Sequence, residues 1–226
     1  VPNKTFDHTK IKELRPLTLI PFDAHLMINE PVKHVHDYID AGSDIITVHA
    51  EVCDESSFGE ICDMLNSNQV GIGLAINPDT ELPQWCYKFV ELLDQVIIMS
   101  VVPGKSGQKF IESTHEKIRR IAKDLREHKF EGYIEADGGV NLENIGACFE
   151  DGARAFVGGS AIIGQNDVRM IIKEFRNQVL ESRRRLLIKK AHDLGGTELV
   201  NSWIDLHVVG EKKDKLVQIA KELGFQ

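Results

Sequence analysis

Along the first 190 residues, short apolar runs rich in β-branched side chains alternate with longer amphipathic stretches. The runs at 18–28 (its second half), 44–50, 70–76, 95–101, 132–136 and 154–159 predict six strands. Between them, 31–42, 56–67, 80–92, 111–128, 141–151 and 167 to about 190 carry the three-to-four-residue recurrence of a helix with one buried face. Strands that alternate with helices in this way predict successive βα units and a parallel sheet. "DAGSD" (40–44) and "EDGARA" (150–155) each place a glycine after a helix, where a left-handed backbone disfavours other residues, and each runs straight into an apolar strand. A closed (β/α)8 barrel and an open doubly wound sheet both satisfy this alternation. The first strand-to-helix turn lacks G-x-G-x-x-G, which favours the barrel. Residues 191–226 break the pattern with Gly195 and Gly196, a strand-like run at 203–209 and a charged amphipathic helix at 211–223. They read as an extension to a barrel domain of residues 1–190.

Composition narrows the function classes. Of 226 residues, 42% are hydrophobic and 27% charged, the balance of a globular chain with a substantial core. The formal charge of -8 argues against a nucleic-acid partner, which needs a basic surface, and leaves room for a small anionic substrate at a local site. Cys53, Cys62, Cys86 and Cys148 form no C-x-x-C or zinc-like pair and read as reduced, buried thiols. With no bilayer-length apolar run and no signal-peptide pattern, the expected location is cytoplasmic, with no membrane partner.

In parallel α/β folds the strand C-termini share one edge, and ligands bind there. The residues at those ends are His25 and Met27, His49, Asn77, Met99 and Ser100, Asp137, and Gly159 and Ser160. Two-residue periodicity puts Asp23, His25 and Met27 on one face, and Glu135 with Asp137 on one face. A His and an Asp can therefore converge at a barrel mouth, where both suit a divalent metal and the Asp also suits proton transfer. Three glycine turns follow later strands: "PGKSGQ" (103–108), "DGGVN" (137–141) and "GGSAI" (158–162). Their backbone N–H groups suit an anion, and the last two occupy the usual phosphate position of a barrel. His34, His36, His115 and His128 fall on helices without a metal motif, and "RRRLLIKK" reads as a solvated helix face.

In order, "VPNKTF", "FDAHLM", "AGSDIITVHAE", "GLAINPDT", "IIMSVVPGKSGQKFI", "IEADGGVN" and "DGARAFVGGSAI" resemble the ribulose-phosphate 3-epimerase family over residues 1 to roughly 180. The resemblance implies a (β/α)8 TIM barrel that interconverts D-ribulose 5-phosphate and D-xylulose 5-phosphate with one divalent metal ion: Zn, Fe, Mn or Co. Inversion next to a ketone needs an acid/base group on each face of a planar enediolate. In the family these are two aspartates that also bind the metal, with two histidines. By motif, His25 is a metal ligand, and Asp137 is a ligand and one acid/base group. Substrate and phosphate contacts carry over to His25, Met27, Met99, Gly104, Lys105, Ser106, Gly107, Gly138, Gly139, Gly159 and Ser160. Family relatives commonly associate, so a homo-oligomer is expected. The chain departs from the family's P-G-F-G-G-Q at Lys105 and Ser106, and Lys105 is expected to point to water.

The family's first strand, first helix and second strand, with its H-x-D, precede "VPN". The barrel is therefore expected to lack its first two strands here, and the motifs quoted above supply one of the two acid/base groups. Little epimerase turnover is expected of these residues alone. Asp205 and His207 in "WIDLHVVG" offer a substitute pair in reversed order. The alternative functions are a non-catalytic phosphosugar-binding paralogue and a 3-epimerase of another ketose phosphate such as allulose 6-phosphate.

Overall fold

The computed structural model describes residues 6–105, 107–193 and Gln218. The strand-like run at 203–209, the helix at 211–223 apart from Gln218, and the Asp205–His207 pair lie outside the described residues. Six strands, β1 (Asp23–Leu26), β2 (Ile45–His49), β3 (Gly71–Ile76), β4 (Gln95–Met99), β5 (Tyr133–Asp137) and β6 (Ala155–Val157), form one sheet. Its order is β1-β2-β3-β4-β5-β6 with every neighbour parallel. All six lie within or one residue beyond the runs read from sequence.

Helices α1 (His8–Leu14), α2 (Val35–Asp40), α3 (Glu55–Ser67), α4 (Thr114–Glu127), α5 (Ile145–Asp151), α6 (Gly159–Ile162) and α7 (Val168–Asp193) accompany the strands. Helix α3 begins at Asp54, whose side chain accepts from Ser57 N while the Ser57 side chain answers its backbone, a reciprocal cap that satisfies two otherwise orphaned donors. Its buried residues Phe58, Ile61, Cys62 and Leu65 recur at helical spacing and meet Ile46, Val48, Ile72 and Leu74 in the same core. On α4, Ile118, Ile121, Ala122 and Leu125 join that core.

The expected helix at 80–92 is absent. Two 3-10 turns, Gln84–Lys88 and Val90–Leu92, replace it after an extended Pro83. Trp85 and Phe89 both pack on Phe58, with ring centroids 5.2 and 5.3 Å away. Tertiary packing of these rings outweighs the helical pattern.

Side-chain contacts require the sheet to curl. Neighbouring strands lie about 4.8 Å apart, so β1 and β5 would be roughly 19 Å apart in a flat sheet. Yet His25 on β1 and Asp137 on β5 approach to 3.3 Å, and Gln95 on β4 donates to Asp23 on β1 at 2.5 Å. The sheet is a half-barrel whose concave face carries Asp23, His25, Thr47, His49, Gln95, Met99, Glu135 and Asp137. Gln95 Nε2 also donates to Thr47 Oγ1 at 2.6 Å, closing a polar layer below the strand C-termini. Among the described residues, β1 and β6 are each paired on one side only.

The four cysteines are free. Burial pushes the Cys53 thiol up to about 11 and those of Cys62, Cys86 and Cys148 up to about 12, so they are packing groups and not nucleophiles. No helix among the described residues is long and apolar enough to cross a membrane.

Candidate functional site

Asp137 is the last residue of β5, and its backbone is pinned from the neighbouring strand by Ser100 N, which donates to Asp137 O at 2.7 Å. Ser100 Oγ donates to Gly138 O at 2.5 Å, so one buried serine holds both sides of the turn that follows the carboxylate. Gly138 and Gly139 take φ of 118° and 65°, in the region that favours glycine. A Cβ at Gly138 would overlap the Val101 side chain, and one at Gly139 would overlap the Phe110 backbone. These two glycines let three loop segments pack against each other at the mouth.

Across the concave face, His25 Nδ1 lies 3.3 Å from Asp137 Oδ2, and both side chains are about 15% exposed. His25 Nε2 lies 2.9 Å from His49 Nε2, with the ring planes 12° apart. His49 Nδ1 in turn lies 3.1 Å from Glu51 Oε2, and Glu51 Oε1 accepts from Asn77 N at 2.6 Å. Burial alone would raise the Glu51 carboxyl, but hydrogen bonds from His49, the Asn77 backbone and Thr80 hold it down at about 2. The loop carrying Asn77 and Thr80 is held by the nearly buried Lys117 of α4, whose Nζ donates to the carbonyls of Asn77, Pro78 and Thr80. Burial lowers the affinity of that amine for its proton.

Met27 and Met99 meet in an apolar cluster with Ala75, Ile97 and Val101, beside the His25–Asp137 pair. One layer deeper lie Asp23 and Glu135. Burial, then the charges of Asp23 and Asp137, push the Glu135 carboxyl up to about 8; burial also raises Asp23, against the hydrogen bond from Gln95.

The loop after β4 is closed by Gln108, whose Nε2 donates to Val102 O at 2.6 Å and Lys105 O at 2.9 Å. Within it Gly104 and Gly107 have φ of 115° and 73°. Lys105 is exposed, in keeping with a side chain directed to water, and Ser106 lies outside the described residues. Gly159 and Ser160 are exposed at the start of the four-residue α6, and open space adjoins the Cβ positions of Gly107 and Gly159. The structure thus brings His25, Asp137, Met27 and Met99 together at one edge, with glycine turns beyond them. The sequence placed His49 and Ser100 at strand ends without assigning them a role, and Glu51 and Lys117 were missed. For His49 and Glu51, "HAE" at a strand end carried the signal: an imidazole and a carboxylate two residues apart.

His25 Nδ1 and Asp137 Oδ2 are donors of the kind that hold a borderline divalent cation. A structural shell of such a metal takes four donors, and among the described residues no group of three His, Cys, Asp or Glu converges. The pair fits as half of a shell.

The sequence model of the ribulose-phosphate 3 epimerase family matches residues 1–163. The chloroplastic ribulose-5-phosphate-3-epimerase of Arabidopsis thaliana is 40% identical over 173 residues, 76% of this chain and 61% of the relative. The ribulose-phosphate 3-epimerase of Bacillus subtilis (strain 168) is 38% identical over 177 residues, 78% of this chain and 80% of the relative. That of Escherichia coli (strain K12) is 37% identical over 180 residues, 79% of each chain. The chain thus spans under two thirds of the plant relative and about four fifths of the bacterial ones. Among solved structures, the 3-keto-L-gulonate-6-phosphate decarboxylase of Vibrio cholerae superposes with a TM-score of 0.58 at 16% identity, covering 77% of this chain and 79% of that one. A 3-hexulose-6-phosphate synthase superposes at 0.55 and 18% identity, covering 76% and 80%. At such identities these two speak to the fold alone. The half-barrel, the strand-end His–Asp pair and the match over residues 1–163 lead to one assignment: the chain belongs to the ribulose-phosphate 3-epimerase family.

Proposed function

We propose that this protein interconverts D-ribulose 5-phosphate and D-xylulose 5-phosphate through an enediolate, with Asp137 moving the C3 proton on one face. The observation that carries the reading is the 3.3 Å approach of His25 to Asp137 at the strand-end edge, beside two methionines and before the Gly138–Gly139 turn. His25 and Asp137 would hold one divalent ion, of zinc, iron, manganese or cobalt. Such an ion, when bound, supplies Lewis-acid stabilisation of the substrate oxygens.

The chain's own residues do the rest. Asp137 takes the C3 proton from one face in one direction of the reaction and delivers a proton to that face in the reverse direction. Met27 and Met99 offer an apolar wall that excludes water from the planar intermediate. Backbone N–H groups at Gly138, Gly139, Gly159 and Ser160, with the 104–107 loop, suit the phosphate. Inversion also requires a group on the opposite face, and the motif residues named above supply Asp137 alone. Three of the four free thiols are buried and all are protonated groups, which suits a reducing cytosol.

The test is substrate exchange in D2O with a divalent metal present. Deuterium is expected at C3, and Asp137→Asn is expected to lower its incorporation by about 10²- to 10⁴-fold, the usual worth of a positioned general base. With the opposite-face group present, xylulose 5-phosphate forms. With Asp137 alone, deuterium enters recovered ribulose 5-phosphate without inversion. A second reading is a phosphosugar-binding protein without catalysis. It predicts sugar phosphate binding with no C3 exchange. Allulose 6-phosphate in the same assay separates a hexulose-phosphate epimerase.

A further inference from the structure

Glu51 and His49 connect to the His25–Asp137 pair through hydrogen bonds whose direction is determined at one end. The backbone N–H of Asn77 is a donor under all conditions and occupies Glu51 Oε1 at 2.6 Å. The second carboxylate oxygen, Oε2, accepts only, and it faces His49 Nδ1 at 3.1 Å. His49 therefore carries its proton on Nδ1. In the neutral ring, His49 Nε2 is then a lone pair, and its contact with His25 Nε2 at 2.9 Å requires His25 to donate. A neutral His25 that donates from Nε2 has its lone pair on Nδ1, the atom 3.3 Å from Asp137 Oδ2. Two acceptors then face each other across the mouth, which is unfavourable unless a cation lies between them.

We propose that Glu51 and His49 are positioning residues that set the tautomer of His25, so that its Nδ1 lone pair and the Asp137 carboxylate jointly present a cation site. The proposal deepens the epimerase reading and rests on it for its purpose. With both rings neutral, the proton positions follow from the hydrogen-bond partners. Lys117 supports the same device from outside the sheet, because its three carbonyl contacts hold the loop that gives Glu51 its directional partner.

An isosteric substitution inverts the relay. In Glu51→Gln, the amide has one oxygen and one NH2. The Asn77 N–H cannot change its role, so the oxygen turns to Asn77 and the NH2 faces His49 Nδ1. His49 becomes an acceptor at Nδ1 and a donor at Nε2, and His25 becomes an acceptor at Nε2 and carries its proton on Nδ1. That proton then bonds to Asp137 and competes with any cation. Each ring keeps one proton throughout.

The experiment uses the metal-free protein labelled with 15N-histidine, with ring nitrogens read by long-range 1H–15N spectra at pH 8, above the ordinary histidine range. The native protein is expected to show Nδ1–H at His49 and Nε2–H at His25, and Glu51→Gln is expected to show both inverted. Titration with Zn²⁺ alone is expected to be about 10- to 100-fold weaker in Glu51→Gln, the usual consequence of losing a group that orients a ligand. A native His25 protonated on Nδ1, with or without Nε2, overturns the proposal. So does a Glu51→Gln variant that leaves the ring protons where they were, or one that inverts them with unchanged Zn²⁺ affinity. The native measurement needs no variant to fold. Because the tautomers are read without substrate or metal, a protein that fails to epimerise leaves this result standing, and a wrong tautomer leaves turnover standing.

Discussion

Asp137 and Glu135 share one face of β5 but occupy different environments, and the difference sorts their chemistry. Asp137 sits at the mouth against His25, with its backbone pinned by Ser100. Glu135 lies one layer deeper, where burial and the charges of Asp23 and Asp137 push its carboxyl up to about 8. A carboxyl raised above its unfolded value binds more protons folded than unfolded, so it favours the folded state most below the unfolded value of 4.5. That contribution is lost as pH rises from there through about 8. Glu135→Gln, which mimics the protonated form, should match the metal-free native protein in stability near pH 4.5 and exceed it increasingly toward pH 8. Urea denaturation of both proteins at a series of pH values checks this, and a constant difference across the range would sink it.

Elements are constrained on both faces of the sheet, in different ways. The outer face is covered by α3 and α4 through aliphatic side chains at helical spacing. The inner face must leave room for polar groups, and Gly73 on β3 provides it: a Cβ there would overlap Thr47 Oγ1 and crowd Gln95 Cγ at 3.0 Å. Gly73→Ala is expected to displace the Gln95–Thr47–Asp23 layer and to cost about 1–3 kcal/mol, the usual penalty for overpacking. Chemical denaturation measures it, and loss of sugar phosphate binding at retained fold would mark the shift reaching His25 two residues above Asp23. The segment 80–92 illustrates a limit of element-level reading. Its apolar positions suit a helix, but Trp85 and Phe89 are both required at Phe58, and 3-10 turns deliver them.

For the whole molecule, the curl of the sheet makes the site, since no two adjacent elements contribute both His25 and Asp137. Protection should follow position in the sheet, because local opening is easiest where few partners hold a strand. Native-state hydrogen exchange is expected to be slowest in β3 and β4, which are paired on both sides and buried on their outer faces. It should be faster in β1 and β6, each paired on one side among the described residues. A β6 as protected as β4 would show that its second edge is covered in solution.

The strand positions, their parallel sense and the glycine turns were determined by the sequence itself, because the alternation of elements, two-residue periodicity and left-handed glycines are local properties. Gly42 and Gly152 adopt the positive φ expected from "DAGSD" and "EDGARA". The same periodicity put His25 and Met27 on one face and Glu135 and Asp137 on one face, so the strand-end carboxylate was legible too. Only the tertiary structure decided that β1 reaches β5 across four strand spacings, that the His25 ring meets His49, and that Glu51 answers to a backbone amide 26 residues away. Those contacts depend on the curvature of the sheet and on side-chain packing from α4. No local pattern encodes either, because each arises from distant segments closing on one another.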